Sequence, residues 1–229
     1  MTTQEMRVSL EIPKRKDTVV LDFAGETVRL TNLRKPFWPE RGIAKRDLLQ
    51  YYADVAPALL PHVEGRAMVM KRYPNGWRGK FFFMKRTPGH APEWLETCAI
   101  EHGSGSVIDF PVIRSLAGLL WLVNLGCIDL NPWYSRCDDT DRPDVLHFDL
   151  DPVPPAGFDR VRSAALLVRE ALDGLGMPSY AKTTGSKGIH VYVPIIRGPE
   201  QKAVWRFAKA FARLMEDQNP ELVTAEYRI

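Results

Sequence analysis

The sequence predicts a mixed α+β fold, with helices packed on small sheets. Three observations carry this. Segments 45–60, 113–125, 158–175 and 200–218 place apolar residues at helical spacing. Short alternating runs bounded by Gly, Pro and Asn lie between them and read as strands. From His147 onward the order is strand, helix, strand, tight turn, strand, helix, which gives a mixed sheet with helices against it. The 229 residues, 45% hydrophobic and 10% aromatic, suffice for one sizeable domain or two small ones.

Residues 1–16 are polar and charged and predict a loose arm. Thr18–Asp22 and Thr27–Leu30 alternate around Ala24-Gly25-Glu26, which predicts a hairpin. Lys35 to Pro39 is a constrained loop, because its two prolines exclude helix. The helix over Lys45–Leu60 carries Leu48, Leu49, Tyr52, Val55, Ala56, Leu59 and Leu60 on one stripe, and Pro61 and Gly65 are expected to end it. Ala67–Arg72 and Lys80–Lys85 are strands around the turn Tyr73-Pro74-Asn75-Gly76, so this hairpin is basic and aromatic. A short helix over Pro92–Thr97, a strand over Val107–Phe110, an apolar helix over Ile113–Leu125 and an extended run over Ile128–Ser135 follow. Phe158–Leu175 is amphipathic, Ser179–Thr184 and Ile189–Ile195 are strands, and Glu200–Gln218 turns Val204, Phe207, Ala208, Phe211 and Leu214 inward.

Composition narrows the function. No run approaches the length of a membrane span, and the first residues contain no apolar signal core. Cys98, Cys127 and Cys137 match no metal or disulfide spacing, as expected of reduced thiols in a cytoplasmic protein. The net charge of +3 does not itself demand a nucleic-acid partner, but the basic residues gather in the first half. Lys35, Arg41, Lys45 and Arg46 form one cluster, and Lys71, Arg72, Arg78, Lys80, Lys85 and Arg86 another. A cluster of this kind also reads as a solvated face.

Two constellations carry chemistry. In His147-Phe148-Asp149-Leu150-Asp151-Pro152, alternate strand side chains share a face, so His147, Asp149 and Asp151 point one way and Phe148 and Leu150 the other. Carboxylates roughly 7 Å apart along a strand repel, and a divalent cation removes the conflict. Hard oxygens suit magnesium or manganese, which usually arrive with substrate phosphates. The plainer reading is a pair of solvated residues at a strand end. The second constellation is Lys182-Thr183-Thr184-Gly185-Ser186-Lys187-Gly188-Ile189-His190. Its glycines let backbone N–H groups approach an anion, Thr184 and Ser186 offer hydroxyls, Lys187 a charge and His190 an imidazole. It lacks the Walker A pattern. Alone, the turn reads as a plain hairpin and His190 as a packed strand residue. Together the two stretches suit metal-dependent phosphoryl or nucleotidyl transfer.

These linked motifs closely resemble the polymerase domain of bacterial ATP-dependent DNA ligase D, of the archaeo-eukaryotic primase superfamily, which acts in non-homologous end joining. Lys35–Pro39, Lys45–Tyr52, Lys71–Gly76 and Phe82-Phe83 extend the resemblance over nearly the whole chain. It implies one primase/polymerase-like domain over 1–229: the arm 1–16, a DNA-binding part over about 17–135, and a catalytic primase-like sheet flanked by helices over about 136–229. By this resemblance Asp149 and Asp151 hold two ions, Mn2+ or Mg2+. Thr184, Ser186, Lys187 and His190 grip the phosphates of an NTP or dNTP, with Asn131 nearby, and Phe82 and Phe83 stack on bases. Lys35 and Lys45 recognise a 5′-phosphate, while Lys71 and Arg72 follow template or nucleotide phosphates. The implied partners are DNA with 5′-phosphorylated ends or gaps, Ku and a DNA ligase, in the bacterial cytoplasm at the nucleoid and without a membrane. The family's third metal-binding aspartate is expected on a strand beyond Arg228-Ile229. A second function therefore stays open, a non-catalytic module for 5′-phosphorylated ends or gaps.

Overall fold

The chain divides between Trp133 and Tyr134 into two units, each with its own core. The computed structural model describes residues 10–103 and 105–226.

The first unit begins with the hairpin β1 (Val19–Phe23) and β2 (Glu26–Leu30). Ala24 and Gly25 both take positive φ, 53° and 98°, the backbone a two-residue hairpin turn requires. The short strands β3 (Pro36–Trp38) and β4 (Ile43–Ala44) pair across a single 3-10 turn. Helix α1 (Lys45–Val63) follows, its start fixed by the Asp47 carboxylate, which accepts the Ala44 N–H at 2.9 Å. It runs past Pro61 to Val63 rather than stopping there. Pro57 and Pro61 lie one turn apart on the exposed side, so water can serve the carbonyls they leave without an N–H partner. Strand β5 (Met68–Arg72) leads into β6 (Phe82–Met84). The expected helix over Pro92–Thr97 is instead a single turn. Leu95 donates to the Pro92 carbonyl at 3.0 Å, and the Glu96 carbonyl already accepts from Val112, so too few residues remain for a helix. Thr97 opens β7 (Thr97–Glu101), which pairs with β8 (Val107–Pro111). Helix α2 (Leu116–Asn124) is capped by Ser115, whose hydroxyl accepts the Gly118 N–H at 3.2 Å. It is apolar nearly all round because it is buried nearly all round. Strand β9 (Cys127–Pro132) closes the sheet β6-β5-β9.

Part of the expected loose arm is docked. Residues 1–9 lie outside the described set, but Ile12 is fully buried and its N–H donates to Gln50 Oε1 at 2.9 Å. Gln50 Nε2 donates in turn to the Leu10 carbonyl at 2.7 Å.

The second unit starts with β10 (Ser135–Arg136) and β11 (Asp139–Pro143) and then forms β12 (Val145–Leu150), α3 (Phe158–Gly174), β13 (Tyr180–Thr183), β14 (Ile189–Pro194) and α4 (Gln201–Gln218). The sheet order is β12-β14-β13, and both ladders are antiparallel. The expected mixed pairing is not found, because β14 inserts between the two strands that α3 connects. One face of this sheet is apolar: Leu146, Phe148, Ile189, Val191 and Val193 pack on Val161, Val168 and Leu172 of α3 and Phe211 and Met215 of α4. Each such side chain contributes roughly 1.5–3 kcal/mol by leaving water. Phe207 and Leu214, expected inward, are 39% and 50% exposed, because the buried stripe of α4 centres on Phe211 and Met215.

Candidate active site and nucleic-acid interface

With one face of the β12-β14-β13 sheet committed to the helices, strand alternation sends the polar set to the other face. Register aligns Asp149 with His190 and His190 with Lys182 across the three strands. In the next row His147 faces Tyr192, which faces Tyr180. Asp149 Oδ1 lies 3.3 Å from His190 Nε2, and His190 Nδ1 lies 3.3 Å from the Tyr192 hydroxyl. Burial lowers the pKa of His190 below the ordinary imidazole value, against the upward pull of Asp149. A neutral ring that donates from Nε2 to the carboxylate accepts the Tyr192 O–H at Nδ1.

Asp151 follows β12 directly and rests on the turn between β13 and β14. A Cβ at Gly188 would lie 2.5 Å from Asp151 Oδ1 and 2.6 Å from the Leu150 carbonyl, so only glycine lets the strand end and the turn meet. The Thr184 hydroxyl organises that turn by accepting the N–H groups of Ser186 and Gly188, each at 3.2 Å. Its own hydrogen remains available to an external acceptor. Gly185 takes φ 79°, and Ser186 and Lys187 are exposed.

The donor set suits a hard divalent cation that shares its ligands with a phosphate. Asp149 and Asp151 supply carboxylate oxygens, and among the described residues no three His, Cys, Asp or Glu side chains form a metal cage. Magnesium-type ions are commonly held by one or two carboxylates plus substrate phosphates.

His147 was not among the site residues expected from sequence. Its ring stacks on Tyr134 with centroids 4.9 Å apart and meets His190 edge-on at 4.6 Å. Burial, then the nearby His190 and Lys182, push its pKa down to about 4, so it is neutral at pH 7. Among the described residues its buried Nε2 has no hydrogen-bond partner. The alternation of the strand placed His147 on this face, but the stacking on Tyr134 had no sequence signal.

The first unit carries a separate basic cavity of about 660 Å³, lined in part by Lys35, Lys45, Arg72, Asn75, His90 and Asn124. Lys45, the first residue of α1, is only 4% exposed. Its ammonium donates to the Thr31 carbonyl and to Asn124 Oδ1, both at 2.8 Å, which leaves one N–H uncommitted. Burial, and then the charges of Lys35 and Arg72, lower its pKa to about 8. Lys35 donates to the Pro74 carbonyl at 2.6 Å and to Asn75 Oδ1 at 3.2 Å.

Lys71 and Arg72 are neighbours on β5 and therefore face opposite sides. Arg72 lines the cavity, donates to the Leu125 carbonyl at 2.8 Å and lies 5.2 Å from the Phe82 ring. Lys71 lies 4.5 Å from the Phe81 ring and 6.0 Å from that of Phe83, and pairs with Asp129 at 3.4 Å. Phe82 and Phe83 are 44% and 59% exposed and are divided between the two sides in the same way. Asn131, on β9, donates its amide to the Val69 carbonyl at 3.3 Å. Phe82, Phe83 and Asn131 thus belong to the first unit and the carboxylate sheet to the second.

A family model described as "LigD, primase-polymerase domain" matches residues 44–229. The multifunctional non-homologous end joining protein LigD of Mycolicibacterium smegmatis is 34% identical over 202 residues, which are 87% of this chain and 26% of that protein. The bifunctional LigD of Bacillus subtilis is 31% identical, over 87% of this chain and 32% of its own length. This chain therefore spans about a quarter to a third of these relatives. The polymerase domain of Mycobacterium tuberculosis ligase D, solved in complex with DNA, superposes with a TM-score of 0.76 at 31% identity, covering 84% of this chain and 70% of that one.

Proposed function

The chain belongs to the LigD primase-polymerase domain family, and from that premise we propose that it is a template-dependent nucleotidyltransferase that fills gaps at DNA double-strand breaks in non-homologous end joining. The observation that carries this reading is the register of Asp149 with His190, beside Asp151 packed on Gly188. It brings two carboxylates up to a turn suited to phosphates. The DNA complex of the similar polymerase domain supports the choice of partner.

In this reading a 3′-hydroxyl attacks the α-phosphate of an NTP or dNTP, and pyrophosphate leaves. Asp149 and Asp151 would hold two divalent cations, manganese or magnesium, whose charge stabilises the attacking and leaving oxygens. Lys187, the backbone N–H groups of the turn and the Thr184 hydroxyl bind the outer phosphates. His190 donates from Nε2, and Tyr192 holds its other nitrogen as an acceptor. In the first unit, Lys35 and Lys45 receive the 5′-phosphate on the far side of the gap, Arg72 extends that positive surface, and Phe82 and Phe83 stack on bases. Ku and a DNA ligase are the partners this role implies, in the bacterial cytoplasm.

A second reading, a non-catalytic module for 5′-phosphorylated ends, draws on one observation: the Lys35–Lys45 cavity lies wholly within the first unit and would serve such a module unaided. Equilibrium binding of a nucleoside triphosphate with manganese separates the two. The catalytic reading expects binding by the wild type and its loss in Asp149→Ala and in Lys187→Ala. Equal binding by all three proteins contradicts it.

A further inference from the structure

The outer face of α4 carries a row of cations. Lys202, Arg206, Lys209 and Arg213 are spaced four, three and four residues apart. At 3.6 residues per turn they fall within an arc of about 60°. That arc lies opposite Phe211 and Met215, the buried residues of the helix. All four are exposed, and among the described residues none has an ion-pair partner. The Lys209 ammonium sits 4.9 Å from the ring of Trp205, which is itself 57% exposed.

The neighbouring helix behaves differently. On α3, Arg162 pairs with Asp159 at 3.3 Å and Arg169 with Asp173 at 3.5 Å, the usual pattern of a solvated helix face. On α4 each cation instead has another cation three or four residues away, and like charges at that spacing repel. The row spans about 16 Å along the helix. A duplex carries phosphates on both strands at a rise of about 3.4 Å per strand along its axis, so a straight row of this length can face several of them.

We propose that the α4 row is a further nucleic-acid contact surface, one that docks on the phosphate backbone of duplex DNA and reads no sequence. The identity of the polyanion rests on the proposed role at DNA ends; the surface itself rests on the geometry of α4. It lies on the helix layer of the second unit, on the side of the sheet away from Asp149 and His190.

The test is the salt dependence of binding to a blunt duplex with 5′-hydroxyl ends, which offers the Lys45 cavity no terminal phosphate. Four phosphate contacts contribute about −3.6 to the slope of log K against log salt. The fourfold variant Lys202→Gln, Arg206→Gln, Lys209→Gln, Arg213→Gln is expected to flatten the slope by about that amount, so that its deficit shrinks about a hundredfold between about 50 and 200 mM salt. The charge-keeping exchange Lys202→Arg, Arg206→Lys, Lys209→Arg, Arg213→Lys should restore the slope. Arg162→Gln with Arg169→Gln removes paired cations and should leave it unchanged. Circular dichroism establishes that each variant is folded. An unaltered slope in the folded fourfold variant overturns the proposal, as does equal flattening by the α3 pair. Nucleotide incorporation into a gap, measured in parallel, keeps the polymerase reading separate: its absence in the wild type with the slope change intact would contradict that reading and leave the surface standing.

Discussion

Gly188→Ala is expected to lower single-nucleotide incorporation about a hundredfold without weakening DNA binding. The added Cβ would stand 2.5 Å from Asp151 Oδ1 and 2.6 Å from the Leu150 carbonyl, whereas ordinary contact begins near 3.4 Å. Either the carboxylate and the end of β12 retreat by nearly 1 Å, or the turn from Thr184 to Gly188 lifts off them. The second escape is costly. Ile189, the next residue, is held in register with Leu150 on one side and Thr183 on the other, and each ladder hydrogen bond contributes about 1 kcal/mol. Misplacing a reacting group by about 1 Å can cost 10²-fold in rate. The assay is single-turnover incorporation into a gapped duplex, with DNA binding followed by fluorescence anisotropy. The Lys45 cavity and β6 belong to the other unit, so binding should hold. Wild-type incorporation by a folded Gly188→Ala protein would refute the idea that Asp151 must rest on the turn.

Four further outcomes follow from the first unit. Lys45 has a pKa of about 8 in the free protein, below its value in an unfolded chain, so the charged form that binds a phosphate is lost as pH rises through 8. The preference for a 5′-phosphorylated over a 5′-hydroxyl gap should be level near pH 7 and fall by up to about tenfold per pH unit above 8; a preference that stays level to pH 9 contradicts this. The same shift means that the unfolded chain binds the extra proton between pH 8 and about 10.4, so this group's contribution to stability rises with pH across that window, readable in urea melts of wild type against Lys45→Met. Asn124→Ala removes the acceptor shared by Lys45 Nζ and the Thr31 N–H, at 2.8 and 3.0 Å, and should cost about 1–3 kcal/mol in a denaturant melt as well as 5′-phosphate preference. Phe82→Ala and Phe83→Ala should each weaken template binding by about 1–3 kcal/mol if the rings stack on bases, and no change in either variant rejects that role.

The sequence discloses local geometry well and distant partners poorly. Alternation in His147–Asp151 puts His147 and Asp149 on one face of β12, where they lie in the structure, because period two is a property of any strand. The helical stripe of α4 is legible for Phe211, yet Leu214 sits at the stripe's edge and is exposed, since only tertiary contact sets where burial stops. Strand β11, Asp-Thr-Asp-Arg-Pro, escaped because its composition lacks strand character. The strand at 139–143 stays ordered in part through the Arg142–Asp139 and Arg197–Asp138 ion pairs, which no spacing announces. The burial of Lys45 depends on Asn124, 79 residues away, and the pairing of Gly188 with Asp151 on a turn that meets a strand end 37 positions earlier in the chain. Lys71 and Arg72 look like one basic pair in sequence, but their adjacency on a strand sends one to the Phe81 and Phe83 rings and the other to the cavity.

The central claim is that the face of β12 and β14 is a nucleotidyl-transfer centre. The direct measurement is incorporation of one labelled ribonucleotide into a gapped, 5′-phosphorylated duplex with manganese, by the wild type, Asp149→Ala and Asp151→Ala. Extension by the wild type that disappears in both variants is the predicted result. Tight gap binding without extension by the wild type, or extension that survives loss of either aspartate, would contradict it.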